Sequence, residues 1–343
     1  MAVRLADVAA EAGVSLATAS RVLNGSSRRP KPEISERVKL AAERLGYFPN
    51  AQAQALARAS AGLVGLVVHD IADPYFASIA RGAQRALVGS GKQLMLASTE
   101  RASGAEIEAV QAFMSYRTDA ILLSGSRGYE DDDALAALLQ TYRANGGRVA
   151  MIGQPLPDTH GVEIDNFGSA GALARELMER GFTRFALLSG ELRLSTSQQR
   201  AEGIIAALAE HGLQPEVALE GAFTREGGRT LMRQLLETGD WRARDGQRLC
   251  VLCANDVMAL GALAALREAG VSVPGDIALA GFDDIPTLED QYPSVTTVRL
   301  PLEDIGHMGA RMLLSAGEDT PRSVVLGQPV LRDSTRVSAA PMT

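Results

Sequence analysis

The sequence predicts a small all-α head followed by an α/β body made of two doubly wound parallel-sheet lobes. The first 45 residues hold three short helical patterns, and from residue 61 apolar, strand-like runs alternate with helical stretches in two successive series. Such alternation is typical of parallel sheets covered by helices on both faces. The length of 343 residues allows two or three folded units.

Charge separates the head from the body. Residues 1–60 carry nine Lys/Arg and five Asp/Glu, whereas the rest of the chain carries 25 basic and 36 acidic side chains. A basic head on an acidic body indicates a polyanion-binding module joined to a part with another role. The apolar runs are far shorter than the roughly 20 residues that span a membrane. The N-terminus lacks the apolar region of a secretory signal, so we expect a cytoplasmic protein.

The head is predicted to form helices over 5–12, 16–23 and 32–45. Gly13 ends the first helix, Ser15 is placed to cap the second, and Asn24-Gly25 ends it. Two short helices joined by a tight glycine turn are typical of a helix-turn-helix, whose second helix enters the major groove of DNA. The residues predicted to form its small core are Val8, Ala9, Val14, Val22 and Leu23.

The second helix would then present a polar outer face. Leu16, Ala17 and Arg21 are predicted to point outward, and an outward arginine suits bidentate hydrogen bonding to guanine. Short polar side chains beside them could reach phosphates, namely Ser15, Thr18, Ser20 and Asn24. A helical hairpin that only packs against its neighbours is the alternative at this point.

Residues 47–60 form a separate segment. Pro49-Asn50 is a typical helix start, and the Ala/Gln/Leu run after it has good helix propensity but almost no apolar face. Because an isolated helix this short is marginal in water, we expect it to be ordered only when something packs against it.

The body is predicted to contain a ligand-binding site but no catalytic residues. Ligands of parallel α/β sheets bind at the carboxyl ends of the strands, so a cleft between the lobes is the expected site. Cys250 and Cys253 fall in a predicted buried strand, without a second pair to complete a zinc site. The four histidines show no metal-ligand spacing, and no convincing acid–base or nucleophile pair is present. We therefore expect no cofactor, no metal and no enzymatic activity.

Motifs along the whole chain resemble the lactose-repressor/galactose-repressor (LacI/GalR) family of bacterial transcription regulators. LADVAAEAGVSLATASRVLNG and YFPNAQAQALA resemble the family's head. The body motifs follow in the family's order: DIADPYF, VEIDNFGSAG, R-x-x-G at Arg200–Gly203, ANDVMALGAL, VPGDIALAGFDD, SVTTVRLP and VLRDST. The ordered set is specific, although each motif alone would be weak.

The resemblance implies a helix-turn-helix domain over 1–46, a hinge helix over 47–60 and an effector-binding and dimerisation domain over 61–338. The second domain would resemble periplasmic sugar-binding proteins, with an N-lobe at about 61–160 and 292–322 and a C-lobe at about 161–291 and 323–338. The family uses two heads of a homodimer to bind a near-palindromic operator. By this resemblance, Leu16, Ala17 and Arg21 would contact the DNA bases.

The remaining DNA contacts follow from the same resemblance. Leu56 would wedge into the minor groove, with Asn50 beside it in the hinge, which fits a helix without a core. Packing against the neighbouring lobe is the alternative for Leu56. The loop SSRRPKPE is longer and more basic than is usual in the family, so Arg28, Arg29 and Lys31 are predicted to contact the DNA backbone.

The family's effector site maps onto both lobes. The family's effector-binding positions are Arg200, Asn255 and Asp283; Asp73, Tyr75 and Phe76 follow the first strand at the cleft mouth, and Asp165 and Phe223 are predicted as further contributors. Aromatic faces can stack on a sugar's C–H face, and carboxylates and amides suit hydroxyl groups, which donate and accept. The alternative for Asp73 and Asn255 is that they cap helices, and the alternative for Asp283 is that it merely shapes a turn. One of Tyr75 and Phe76 should face inward. The Asp-Pro-Tyr-Phe stretch favours a sugar over a purine.

The sequence thus predicts a ligand-responsive transcription regulator, most simply a repressor. A solute-binding protein of a transport system would need a signal peptide and no basic head. A sugar-modifying enzyme would need a positioned catalytic pair. Whether the effector releases or strengthens DNA binding depends on which state it prefers, and the sequence does not decide this.

Overall fold

The computed structural model of the chain describes residues 3–24, 30–48, 60–128, 130–315 and 322–337. The chain divides into two compact units, residues 1–63 with 116–119, and residues 64–115 with 120–343. No helix among the described residues has both the length and the apolar character needed to cross a membrane.

The head contains the three predicted helices. They are α1 (Leu5–Glu11), α2 (Leu16–Asn24) and α3 (Pro32–Leu45). Gly13 and Gly46 have positive φ and follow the first and third helices, as left-handed C-terminal caps do. The core is small and rich in alanine, with Val8 and Val38 fully buried and Val14, Val22 and Leu23 packed against it, as predicted.

The first lobe of the body, the N-lobe, is built on a six-stranded sheet of order β11-β5-β4-β3-β1-β2. The paired strands β1, β3, β4, β5 and β11 run parallel. The strands are β1 (Leu63–Val68), β2 (Gln93–Ser98), β3 (Ala120–Gly125), β4 (Arg148–Gly153), β5 (His160–Ile164) and β11 (Arg322–Val325). Its helices are α4 (Pro74–Leu87), α5 (Ala105–Ser115), α6 (Asp132–Ala144) and α11 (Leu302–Leu314).

The second lobe, the C-lobe, has a four-stranded parallel sheet of order β7-β6-β8-β9. Its strands are β6 (Arg184–Gly190), β7 (Val217–Gly221), β8 (Leu249–Cys253) and β9 (Ile277–Ala280). Its helices are α7 (Asn166–Glu179), α8 (Ser195–Ala209), α9 (Arg225–Thr238) and α10 (Asp256–Glu268). Cys250 and Cys253 are buried free thiols in β8, so the strand prediction for them is confirmed.

The chain crosses between the lobes near residues 165, 300 and 326, slightly later than expected each time. Strand β5 pairs with β4 and β11, so residues 160–164 belong to the N-lobe sheet. Residues 296–299 extend the C-lobe instead: Thr296 bridges to Ala280, and β10 (Thr297–Arg299) pairs antiparallel with β12 (Gln328–Val330). The boundaries predicted at about 160, 291 and 322 therefore need correction, because backbone pairing between distant segments decides them.

Candidate functional site

The N-lobe contributes the start of α4 to the cleft between the lobes. Asp73 is the N-cap of this helix, and its carboxylate accepts a hydrogen bond from the Tyr75 N–H at 2.9 Å. Phe76 is buried in the lobe's core, with Tyr75 and His69 meeting its ring edge-on at centroid distances of 4.9 and 5.7 Å. One aromatic side chain of the pair thus faces inward, as expected, while both still border the cleft.

The C-lobe contributes a buried arginine whose hydrogen bonds fix its position. Arg200 on α8 donates to the Asp283 carboxylate at 2.9 Å, to the Asn166 side-chain oxygen at 2.9 Å and to the Ala254 carbonyl at 2.8 Å. Its guanidinium lies over the Phe282 ring, 3.7 Å from the centroid, and the residue is only 3% exposed. A buried cation with this many partners is held in one geometry.

Asp283 does more than shape a turn. It adopts φ +119°, a conformation that is rare for a residue with a side chain, and it is 4% exposed. Burial raises the pKa of its carboxyl to about 7, although the guanidinium of Arg200 acts in the opposite direction. Strained backbone and perturbed carboxyl groups both concentrate at functional sites.

Three polar residues predicted to bind the effector also cap helices. Asn255 accepts from the Met258 N–H at 2.9 Å and starts α10, and Asp165 accepts from the Gly168 N–H at 2.8 Å at the start of α7. Asp73 does the same for α4. Capping does not exclude a second role for Asp73 and Asn255, which border the cleft, but Asp165 does not border it.

A small cavity, the inner cavity, lies where these residues converge, and its volume is about 30 Å³. Seven of the eight predicted effector residues line it, Asp165 being the exception. The full lining is Asp73, Tyr75, Phe76, Arg101, Gly125, Ser126, Gly153, Ile164, Thr196, Arg200, Phe223, Asn255 and Asp283. The lobes touch here, because the Thr196 N–H donates to the Ser126 hydroxyl at 3.0 Å.

Sequence reasoning missed Arg101, Ser126 and Thr196. Arg101 lies three residues after β2 and Ser126 follows β3 directly, so the rule that ligands bind at the carboxyl ends of strands could have pointed to them. Phe223 was predicted at the end of a strand, but β7 ends at Gly221, and the ring lies in the following loop. It packs beneath Arg101, whose guanidinium carbon is 5.3 Å from the ring centroid.

Arg101 differs from Arg200 in having no hydrogen bond or ion pair with any described residue. Its Nε is fully buried without a partner, and burial lowers the pKa of its guanidinium. The carboxylates of Asp73, Glu191 and Asp70 favour its charge from a greater distance. Because the residue is only partly buried, the rest of its guanidinium stays open to solvent or to a ligand.

The exposed face of the head is the second candidate site. Leu16 is 54% exposed, and Ala17 and Arg21 are also exposed on α2, as predicted for an outward face. The Ser15 hydroxyl bonds to the Thr18 hydroxyl at 2.8 Å and accepts from the Thr18 N–H, so Ser15 caps α2 as predicted. Asn24 donates to the Ser20 hydroxyl at 3.0 Å. Arg28, Arg29, Asn50 and Leu56 lie outside the described residues.

These features define a class of protein: a helix-turn-helix head joined to a two-lobed, periplasmic-binding-protein-like body. The family model "Bacterial regulatory proteins, lacI family" matches residues 4–50, and "Periplasmic binding protein-like domain" matches residues 174–335. The regulator GalR of Escherichia coli is 32% identical over 323 residues, which cover 92% of this chain and 89% of GalR. The chain belongs to the LacI/GalR family of DNA-binding transcriptional regulators.

Solved structures agree with this assignment. A lac repressor dimer bound to operator and the anti-inducer ONPF superposes with a TM-score of 0.83 at 26% identity, covering 98% of this chain and all of that one. A complex of the regulator CelR with cellobiose gives 0.68 at 31% identity, covering 97% of this chain and 99% of that one. The fold predicted from the sequence is confirmed.

Proposed function

We propose that the protein is a cytoplasmic repressor that binds a near-palindromic operator as a homodimer and responds to a sugar or sugar derivative between its lobes. One observation carries the effector part: seven residues chosen from sequence motifs meet at one inter-lobe cavity. Carboxylate, guanidinium and amide groups beside an aromatic ring suit a polyhydroxylated ligand, because each hydroxyl can donate and accept.

The DNA contacts follow the family's arrangement. Leu16, Ala17 and Arg21 would meet base edges, and Asn50 with Leu56 would enter the minor groove. Exposure of the first three on α2 supports their role. The backbone contacts would come from Ser15, Thr18, Ser20, Asn24, Arg28 and Arg29.

The size of the inner cavity supports coupling between effector and lobe arrangement. A volume of about 30 Å³ is roughly a tenth of the smallest ordinary small-molecule pocket, whose range is about 300–1,000 Å³, and is too small for a sugar ring. A sugar would therefore bind a more open arrangement better than this one. A ligand that prefers one arrangement shifts the population toward it, and operator affinity then changes reciprocally.

An apolar groove on the N-lobe supports the dimer. Its volume is about 930 Å³, and it is lined by α4, β2 and the turns beside them. Ile71, Val88 and Leu96 are 59, 79 and 38% exposed along it. Apolar patches of this kind mark protein interfaces, and the lac repressor neighbour was solved as a dimer. Leu96→Asp should convert the dimer to a monomer in analytical ultracentrifugation.

The cleft supports binding rather than catalysis. Asp73 and Asn255 cap helices and Asp283 pairs with Arg200, an arrangement that leaves oxygen atoms for a ligand's hydroxyls but forms no nucleophile–base pair among these three residues. No cluster of three or more metal-ligating side chains occurs in the described part of the chain. We therefore propose that the protein acts without an enzymatic step or a cofactor.

Fluorescence anisotropy with DNA from upstream of the protein's own gene tests the proposal. We expect tight, strongly salt-dependent binding that a sugar from a broad panel shifts. Arg21→Ala should weaken specific binding about ten- to hundredfold, the effect of about 1–3 kcal/mol for a lost base contact. Arg44→Ala, which removes one exposed charge from α3, is the matched control and should cost much less.

Equal affinity for upstream and random DNA, with and without sugars, would overturn the proposal. Equal losses for the two arginine variants would show that Arg21 contributes only charge.

A further inference from the structure

One carboxylate holds the segment of chain that leads into β1. Three successive residues bond to the Asp119 oxygens: the Ser60 hydroxyl donates at 2.7 Å, the Ala61 N–H at 2.9 Å and the Gly62 N–H at 3.2 Å. The Asp119 N–H in turn donates to the Leu63 carbonyl at 2.8 Å. A side chain 59 positions after Ser60 therefore fixes both the side chain and the backbone of this segment.

Residues 60–62, the linker end, depend on Asp119 for their conformation. They belong to no helix or strand, and Gly62 has a positive φ of 67°. Residues 60–63 and 116–119 lie in the same compact unit of the structure. Hydrogen bonds to a charged acceptor are roughly twice as strong as neutral ones. Without the Asp119 carboxylate, two backbone N–H groups and a hydroxyl of the linker end would lose their acceptor.

Strand β3 runs from Asp119 to the cleft between the lobes. It spans Ala120–Gly125, pairs with β1 on one side and β4 on the other, and is buried over most of its length. Ser126 follows it directly, lines the inner cavity and accepts the Thr196 N–H of the C-lobe. The linker end is thus bonded to the residue before β3, and the lobes touch at the residue after it, about 20 Å away at about 3.3 Å per residue. A central strand paired on both sides is a rigid element of the kind that can carry coupling between sites.

We propose that Asp119 is a positioning residue for operator binding: it fixes the linker end at the start of β3, so that a movement between the lobes at the far end of β3 reaches the linker. This inference rests on the proposed function as a ligand-responsive repressor and assigns a route for its regulation. Asp119 acts through the linker end and contacts neither DNA nor effector.

Fluorescence anisotropy with the full-length protein, upstream DNA and random DNA tests the positioning role. Asp119→Ala should weaken binding to upstream DNA at least fivefold, because the freed linker end gains conformational freedom that operator binding must then remove. Binding to random DNA should change less than twofold, since the basic side chains of the head are untouched.

Asp276→Ala is the matched control. Asp276 also directly precedes a strand, β9, and accepts a backbone N–H, but its donor is Ser272 in its own turn, at 2.8 Å. This variant removes the same charge and should leave binding to both DNAs unchanged. A loss equal to that of Asp119→Ala would overturn the positioning role.

Two further variants separate positioning from a defect of folding. Asp119→Asn keeps one acceptor oxygen and should recover part of the operator affinity. Ser60→Ala removes one donor and should weaken operator binding about two- to threefold in the natural protein but not further in Asp119→Ala, because both changes remove the same hydrogen bond. A folding defect would instead lower the melting temperature and leave the effect of Ser60→Ala the same in both backgrounds.

The route through β3 has its own test, which needs no effector. Ser126→Ala removes the acceptor of the inter-lobe hydrogen bond at the far end of the strand. We expect it to change operator affinity at least threefold in the natural protein and less than 1.5-fold in Asp119→Ala. Independent sites this far apart would give the same factor in both backgrounds.

The failures can be told apart. Operator affinity in Asp119→Ala within twofold of that of the natural protein overturns the positioning role. An equal factor for Ser126→Ala in both backgrounds, or no effect in either, overturns the route through β3. If the natural protein does not prefer upstream DNA to random DNA, the proposed function is overturned and this inference with it.

Discussion

Each side of the cleft contributes an arginine, and the two arginines differ in how they are hydrogen-bonded. In the C-lobe, Arg200 is buried against Phe282 with a partner for each of its three nitrogen atoms. In the N-lobe, Arg101 is largely buried over Phe223 without a hydrogen bond to any described residue. The C-lobe half is therefore organised before a ligand arrives, whereas Arg101 in the N-lobe has donors that no described residue uses.

The largest expected effect comes from removing the organised arginine. Arg200→Ala leaves the Asp283 carboxylate buried without its partner, and breaking a buried pair costs about 3–5 kcal/mol. Urea denaturation followed by circular dichroism measures the loss. Arg175→Ala, which breaks an exposed pair with Glu210 in the same lobe, is the control and should change stability little. Equal losses in the two variants would contradict the contrast between the lobes.

The N-lobe should show its own signature in the pH dependence of stability. Burial, with Arg101 and Arg127 nearby, lowers the pKa of His69 from 6.5 to about 3. Between these values the unfolded chain binds a proton at His69 that the folded chain does not, so stability falls as the pH drops. At pH 5 the loss from this group is about 2 kcal/mol.

His69→Asn should flatten this acid limb of the unfolding free energy between pH 6.5 and 4. The same substitution at exposed His211 is the control and should leave the limb as it is, because this side chain is exposed in the folded chain as well. An unchanged slope in His69→Asn would show that other groups cause the acid limb.

Asn255 sharpens the comparison by separating a structural role from a binding role. Asn255→Ala removes the cap of α10 and should cost about 1 kcal/mol. Asn255→Ser keeps a capping oxygen but loses the amide, so stability should stay close to that of the natural protein while sugar affinity falls. Thermal unfolding and titration calorimetry give the two readouts. Unchanged sugar affinity in the serine variant would show that Asn255 acts only as a helix cap.

The smallest effect on stability is expected at Arg101. Arg101→Met removes a partly buried charge that forms no ion pair with a described residue, while keeping apolar contact with Phe223, so the melting temperature should stay the same or rise slightly. Arg117→Met is the matched control, since Arg117 has a similar positive φ of 55° but is exposed. A loss above about 1 kcal/mol would mean that Arg101 has a strong partner and that the two lobes are alike.

Much of the candidate site could be predicted because its residues lie in local motifs. Asp73 precedes a helix-starting proline, and Asn255 precedes α10, so their places at strand–helix junctions are set by short-range capping chemistry. Arg101 escaped prediction because its direction depends on a left-handed turn after β2. Asp165 was predicted to bind the effector, but its carboxylate accepts a hydrogen bond from the Gly168 N–H and does not line the inner cavity.

The amino-acid sequence alone determined the head, the order of helices and strands, the basic head on an acidic body and the family. The helices, strands and charge contrast follow from periodicity, capping and composition, which act over a few residues at a time, whereas the family follows from the resemblance of the ordered motifs. Only the tertiary structure decided where the chain changes lobe, because Arg322 pairs with Gly161, a partner far away along the chain. It alone decided that Arg200 is fully hydrogen-bonded whereas Arg101 has no hydrogen bond to a described residue, because hydrogen bonding depends on what the rest of the fold places beside each side chain.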